Sequence, residues 1–178
     1  MSAREPASPP AAEPTVVVSA PGKAFLIGEY AVLAGHPALV TAVDVRAVAH
    51  AARDPSGGAG AGEVFVPPTA VVRCAHDRAW AALGGRSFAG LGALTPDGAP
   101  PPPPIVETGG FTYGARKLGL GSSAAVAAAV VAFAFAEVGV DPADPAVRPE
   151  LLALAMAAHA EAQGGGGSGA DVAAAVLG

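Results

Sequence analysis

Three kinds of side chain in this sequence, a lysine, a serine pair and an aspartate, each stand beside glycines in a way that suits chemistry on an anion. Lys23 follows Ala20-Pro21-Gly22, Ser122 and Ser123 follow Gly119 and Gly121 in KLGLGSSAAV, and Asp171 closes the run QGGGGSGAD. Glycine lets a ligand come close to the backbone, and the unpaired N–H groups of a helix's first turn make its start an anion site, of which phosphate is a common occupant. Phosphoryl transfer needs backbone donors for phosphates, a hydroxyl or carboxylate for magnesium, a cation for developing charge and a carboxylate near the accepting group. All four residue types occur. Taken singly, each also has a plainer account: a glycine turn with a serine cap, a surface lysine, an aspartate that caps its helix.

Other chemistries find less support. No GxxxxGK[ST] run is present, GLGSSA lacks the third glycine of a dinucleotide fingerprint, and no GxSxG elbow occurs. His36, His50, His76 and His159 are scattered, His159-Ala160-Glu161 is not an HExxH pair, and the single Cys74 rules out an intrachain disulfide or a CxxC site. A lone His76 is expected to be a packing or surface residue. With 10 basic against 15 acidic side chains, a net charge of -5, the chain has no basic field for nucleic acid. The N-terminus lacks a secretory pattern, and the apolar run 124–138 is short for a membrane span and contains Glu137, so a cytoplasmic protein without a membrane partner is expected.

The elements that must position these residues follow from composition and periodicity. At 178 residues, 52% of them hydrophobic, the chain can build one domain with a small-residue core. Residues 1–14, with four prolines, read as a disordered tail. Thr15–Ser19 is expected as a strand ending in a sharp turn at Ala20-Pro21-Gly22, with a second short run at Ala24–Ile27. A helical or loop excursion then spans Tyr30–Ala38, and Ala38–Val48 alternates as a strand with Asp44 and Arg46 on one face. A glycine turn is expected at Arg53–Gly62, and Glu63–Val66 with Ala70–Arg73 reads as two short strands around Pro67-Pro68. His76–Leu83 reads as a short helix, the polyproline run ending at Pro104 as a surface segment, and Ile105–Tyr113 as a strand leading into the glycine motif. Ser122–Glu137 is the central helix. A second helix runs from about Pro149 to Glu161, facing the core with Leu151, Leu152, Ala155 and Ala158, and a third covers Val172–Leu177.

Taken together and in order, PGKAFLIGEYAVLAGHPAL, KLGLGSSAAV and AQGGGGSGADVAAAVLG resemble the signature regions of the GHMP kinases. The resemblance covers roughly Val16–Gly178. It implies an α+β fold, the ribosomal protein S5 domain 2-like N-terminal domain of these kinases over residues 15–178, with a mixed or antiparallel sheet packed against helices. AHAEAQGGGGSGADV, KLGLGSSAAV and VRAVAH are similar to the phosphomevalonate kinase branch, whereas GEYAVLAGHPAL resembles mevalonate kinases at least as well. The implied activity is ATP- and magnesium-dependent phosphoryl transfer to a small phosphorylated or hydroxy acid.

The resemblance also implies roles. Lys117, Gly119, Gly121, Ser122, Ser123 and Ala124 would surround the ATP phosphates, with Ser123 and Glu161 as magnesium ligands. Asp171 would orient or deprotonate the acceptor, Lys23 would neutralise charge on the transferred group, and His36 falls in a region that lines the acceptor pocket in mevalonate kinases. Where the phosphomevalonate branch tends to have a lysine after Gln163-Gly164, this chain has Gly165, leaving Arg116 or Lys117 to hold a substrate phosphate. Family members carry a second, C-terminal domain that closes the cleft. Its absence from this sequence leads us to expect a truncated, weakly active or inactive unit, since water exclusion would be incomplete.

Overall fold

The computed structural model describes residues 16–51, 69–84 and 99–178. The tail 1–14, the glycine turn at 53–62 and the strand expected at 63–66 lie outside the described residues. An antiparallel three-stranded sheet forms from β1 (Val17–Ile27), β2 (Leu39–His50) and β3 (Ile105–Glu107), in the order β1-β2-β3. A two-stranded hairpin, β4 (Thr112–Tyr113) with β5 (Arg116–Lys117), follows a single helical turn at Gly109–Phe111. The helices are α1 (Ala70–Leu83), α2 (Ser122–Glu137), α3 (Arg148–Ala162) and α4 (Ala170–Leu177). This is the α+β architecture the sequence predicts, with every described strand pairing antiparallel.

Helix α2 is the axis of the core. It packs on β1 and β2 on one side and on α1, α3 and α4 around the rest. Enclosure on nearly all sides requires a helix without a polar face. Its sequence meets that demand: Ala124 through Val131 are all buried, with Phe133, Ala134 and Phe135 completing the run. Alanine side chains allow the neighbouring elements to approach closely, and the valines and phenylalanines fill what remains. No helix among the described residues is long and apolar enough to cross a membrane.

Two expected breaks are continuous elements. Ala20-Pro21-Gly22 is not a turn, because β1 runs straight through it and its register on β2 shifts between Pro21, opposite Arg46, and Gly22, opposite Val43. Proline has no N–H to give the ladder, so an irregularity accommodates it without ending the strand. Ala70–Arg73 is not a strand either but the first turn of α1. Thr69 caps it by accepting from the Val72 N–H at 3.4 Å, and Val72, Ala75, His76, Ala79, Trp80 and Leu83 line one buried helical stripe. That stripe outweighs the β preference of two valines. His76 is a packing residue, as expected, with Nε2 2.9 Å from the Pro101 carbonyl and its ring tilted against Trp80. The polyproline run is therefore not wholly superficial, and Pro104 is buried.

The expected strand at Ile105–Tyr113 divides into β3, the helical turn and β4. The excursion after β1 is a short helical turn at Ala31–Ala34, closed by Gly35 at φ 79°.

Candidate active site

Gly22 joins the first two motifs. A Cβ there would lie 2.6 Å from the Leu120 carbonyl oxygen and 2.7 Å from Phe111 Cε1, so only glycine lets the loop before α2 rest on β1. With that space open, the Lys23 N–H donates to the Leu120 carbonyl at 2.8 Å. The lysine side chain then runs across Gly121, where a Cβ would meet Lys23 Cγ at 2.7 Å. Gly121 is the N-cap of α2 at φ 73°, a left-handed conformation that glycine adopts without strain. The APGK and GLGSS runs thus form one packed unit.

Lys23 is buried to 8% exposure. Its ammonium lies 3.9 Å from a Glu29 carboxylate oxygen and 4.5 Å from the centre of the Phe25 ring. Burying a lysine demands such partners, and both lead in one direction. Glu29 and Phe25 line an open recess of about 210 Å³ whose far wall comes from α3, the glycine loop and α4. Asp171, His159, Gln163 and Met156 are in that wall.

Asp171 occupies the first turn of α4, where a carboxylate complements the helix dipole, and it accepts from the Val172 N–H at 3.0 Å. Gly164, Gly165, Gly166, Gly167 and Gly169 ahead of it all have positive φ, between 70° and 95°, which explains a run of glycines with no other residue type except Ser168. Ser168 Oγ accepts from the Ala170 N–H at 3.3 Å and steadies the entry to α4.

Ser123 connects the two halves of the site. Its Oγ lies 3.0 Å from His159 Nε2 on α3, and Gln163 Nε2 is 2.9 Å from the same ring nitrogen and 3.4 Å from the serine oxygen. His159 and Gln163 were not among the residues picked out as site candidates from the sequence. Their spacing of four places them on one helix face, and that was the available signal.

The structure brings Lys23, Gly121 and Ser123 together, and places Asp171 across a shared recess from Lys23's partners Phe25 and Glu29. Ala124 is wholly buried, so of its groups only the first-turn N–H has a place in anion binding. Gly119, Lys117 and His36 are exposed, Gly119 at φ 73° with open space around its Cα. Glu161, implied as a magnesium ligand, points elsewhere. Its Oε2 accepts from both Nε and an Nη of Arg78, at 2.7 and 2.6 Å, and it lines a separate depression with Arg73, Cys74 and Asp77. A residue two positions from Gln163 lies about 200° away around a helix, which accounts for the opposite outlook.

Comparison with known proteins agrees with this geometry. The GHMP kinases N terminal domain model matches residues 114–178, from the β4–β5 turn through the α2 cradle to Asp171 and α4. Residues 114–178 are thus similar to the N-terminal domain of the GHMP kinases. Among solved structures it is similar to a Lin0012 protein from Listeria innocua, at 25% identity and TM-score 0.66 over 92% of this chain. It also shares the fold of the phosphomevalonate kinase of Streptococcus pneumoniae, at 20% identity and TM-score 0.61 over 92% of this chain. No curated protein matches it in sequence. The chain spans 46% of the length of each of those two structures.

Proposed function

We propose that the chain is the nucleotide- and acceptor-binding part of a small-molecule kinase that transfers the γ-phosphoryl group of ATP to (R)-5-phosphomevalonate, giving 5-diphosphomevalonate and ADP on a route to isoprenoids. The observation that carries this reading is the packing of Lys23 across Gly121 at the start of α2, with its ammonium directed by Glu29 and Phe25 toward the recess that holds Asp171. The choice of acceptor draws on the AHAEAQGGGGSGAD run and on the fold shared with the pneumococcal phosphomevalonate kinase. GEYAVLAGHPAL favours the second reading, phosphorylation of the 5-hydroxyl of (R)-mevalonate.

In this reading the N–H groups of Gly121, Ser122, Ser123 and Ala124 receive the phosphates at the positive end of a 16-residue helix. The oxygen groups available fit magnesium as a nucleotide complex. Among the described residues no cluster of three or more His, Cys, Asp or Glu could form a dedicated cage, and this ion is commonly held by one or two protein oxygens with the phosphates supplying others. Ser123 Oγ is the protein ligand nearest the cradle, and Asp171 is the carboxylate at the recess. Bound there, magnesium would neutralise charge on the phosphates. Lys23 offsets charge developing on the transferred group, and Asp171 orients the acceptor oxygen and takes its proton if it carries one. Residues 15–178 act as one domain, and a region corresponding to the rest of the matched structures completes the enclosure that keeps water out.

ADP release by the 178-residue chain, with ATP, magnesium and each acceptor in turn, tests this. Slow turnover that (R)-5-phosphomevalonate stimulates more than mevalonate supports the reading. The reverse preference moves the assignment to the second reading, and nucleotide binding with neither acceptor phosphorylated identifies an inactive relative.

A further inference from the structure

The triangle formed by Ser123, His159 and Gln163 has a directional chemistry that the phosphate cradle does not require. The Gln163 side-chain nitrogen can only donate, and it lies 2.9 Å from His159 Nε2, so that ring nitrogen accepts and the neutral imidazole carries its proton on Nδ1. Ser123 Oγ, 3.0 Å from the same nitrogen, accepts from the Gln163 amide at 3.4 Å and shares the ring nitrogen's single lone pair with it as a second donor. The imidazole is buried at 7% exposure, between α2 and the recess, and has little room to turn. We propose that His159, braced by Gln163, is a positioning residue that takes up the Ser123 hydroxyl proton in a hydrogen bond, so that the serine presents oxygen lone pairs to its ligand.

The consequence is selective. A serine whose proton is committed to His159 suits a cation and is a poor donor to a phosphate oxygen, so Ser123 serves the metal of a metal–nucleotide complex, while backbone N–H groups and Ser122 serve the phosphates. The identity of the ligand rests on the kinase reading; the direction of the hydrogen bond does not. His159 touches neither the metal nor the nucleotide in this account, and Gln163, exposed at the end of α3, fixes the ring's tautomer.

Two measurements on the full chain separate these points. In the ligand-free protein labelled with ¹⁵N-histidine, long-range ¹H–¹⁵N spectra of His159 should show an unprotonated Nε2 and a protonated Nδ1. A proton on Nε2 reverses the hydrogen bond and overturns the proposal, whether or not the protein is a kinase. Affinity for ATP is then measured with and without magnesium. His159→Leu should weaken binding in magnesium about tenfold, the lower end of what outer-shell partners of a metal ligand contribute, and change metal-free binding by less than about twofold. His159→Gln, whose amide oxygen can accept from Ser123, should recover most of the loss. An equal loss with and without magnesium, or no recovery by glutamine, marks a purely structural histidine and overturns the proposal. Should His159→Leu fail to fold, Gln163→Leu at its exposed position serves in its place, with a smaller loss of the same selectivity expected. If the wild-type chain binds no ATP, the kinase reading fails and the tautomer still decides the positioning claim.

Discussion

Two glycine-rich loops lead into helices at this site, and they are built in opposite ways. The loop at 118–121 is pressed against the rest of the protein: its Leu120 carbonyl is tied to Lys23, Gly121 lies beneath the lysine side chain, and Gly22 makes room from below. The loop at 164–169 stands largely in the open, since a Cβ at Gly164, Gly165, Gly166 or Gly167 would meet nothing within 4 Å. Both end in a left-handed glycine N-cap, Gly121 at 73° and Gly169 at 70°. What differs is the reason for glycine. In the first loop it is, at Gly121, close approach together with backbone conformation, and in the second it is conformation, with only Gly169 approached, by the flexible end of Met156. A pre-shaped cradle suits a constant group such as a triphosphate, and an open loop beside Asp171 suits an acceptor that must enter and leave.

Substitutions can break this contrast. The largest effect belongs to the chemistry: Asp171→Asn should lower turnover by about 10³-fold, within the range for a lost general base, while leaving ATP affinity within about twofold in a binding titration. Lys23→Met should lower turnover by about 10²-fold, as removal of a charge-stabilising group does, and isothermal titration should show weakened ATP binding as well, because the ammonium is lost while a stem of similar length stays against Gly121. Gly121→Ala combines a left-handed backbone with contact against the lysine stem, and should cost about 2 kcal/mol or more of stability, read as a fall of roughly 4–8 °C in thermal midpoint. Gly165→Ala carries the conformational strain without the contact and should cost about 1 kcal/mol. Equal losses for the two alanine variants would erase the distinction between the loops.

The smallest effect lies away from the site. Burial at the C-terminal end of α2 raises the Glu137 pKa above its ordinary value, and the helix dipole there also disfavours a negative charge. A carboxyl whose pKa is raised by folding holds its proton more tightly in the folded state, so ionisation costs stability as pH rises from the ordinary glutamate range through the raised value. Glu137→Gln should therefore stabilise the protein at neutral pH, and its advantage should shrink as the pH is lowered toward 4.5, the ordinary value. Chemical denaturation across that interval checks the sign.

These residues also show what the sequence made legible. The bounds of α2 follow directly from its composition, because an unbroken apolar run after a glycine loop has one stable arrangement, a helix enclosed on all sides. The motif pairing of Lys23 with the cradle was visible as chemistry but not as contact, since Gly22's role depends on Leu120, far along the chain. The bulge that carries β1 through Pro21 was hidden for the same reason: local turn chemistry is weighed against a long strand pairing that only the fold supplies. Valines at 71 and 72 spoke for a strand, and tertiary burial of the α1 stripe overrode them. Glu161 and His159 illustrate the limit at the site itself. Two residues apart on one helix, they face Arg78 and Ser123 respectively, and the sequence names neither partner.

The most direct test of the central claim, that the packed loop and not the open one is the nucleotide cradle, is a titration of magnesium–ATP into the ¹⁵N-labelled chain followed by amide shifts. The account predicts that the amides of Gly121, Ser122, Ser123 and Ala124 move first and furthest, with those of Gly164–Gly167 little changed until an acceptor is added. Shifts centred on the open loop, with 121–124 unmoved, would contradict it.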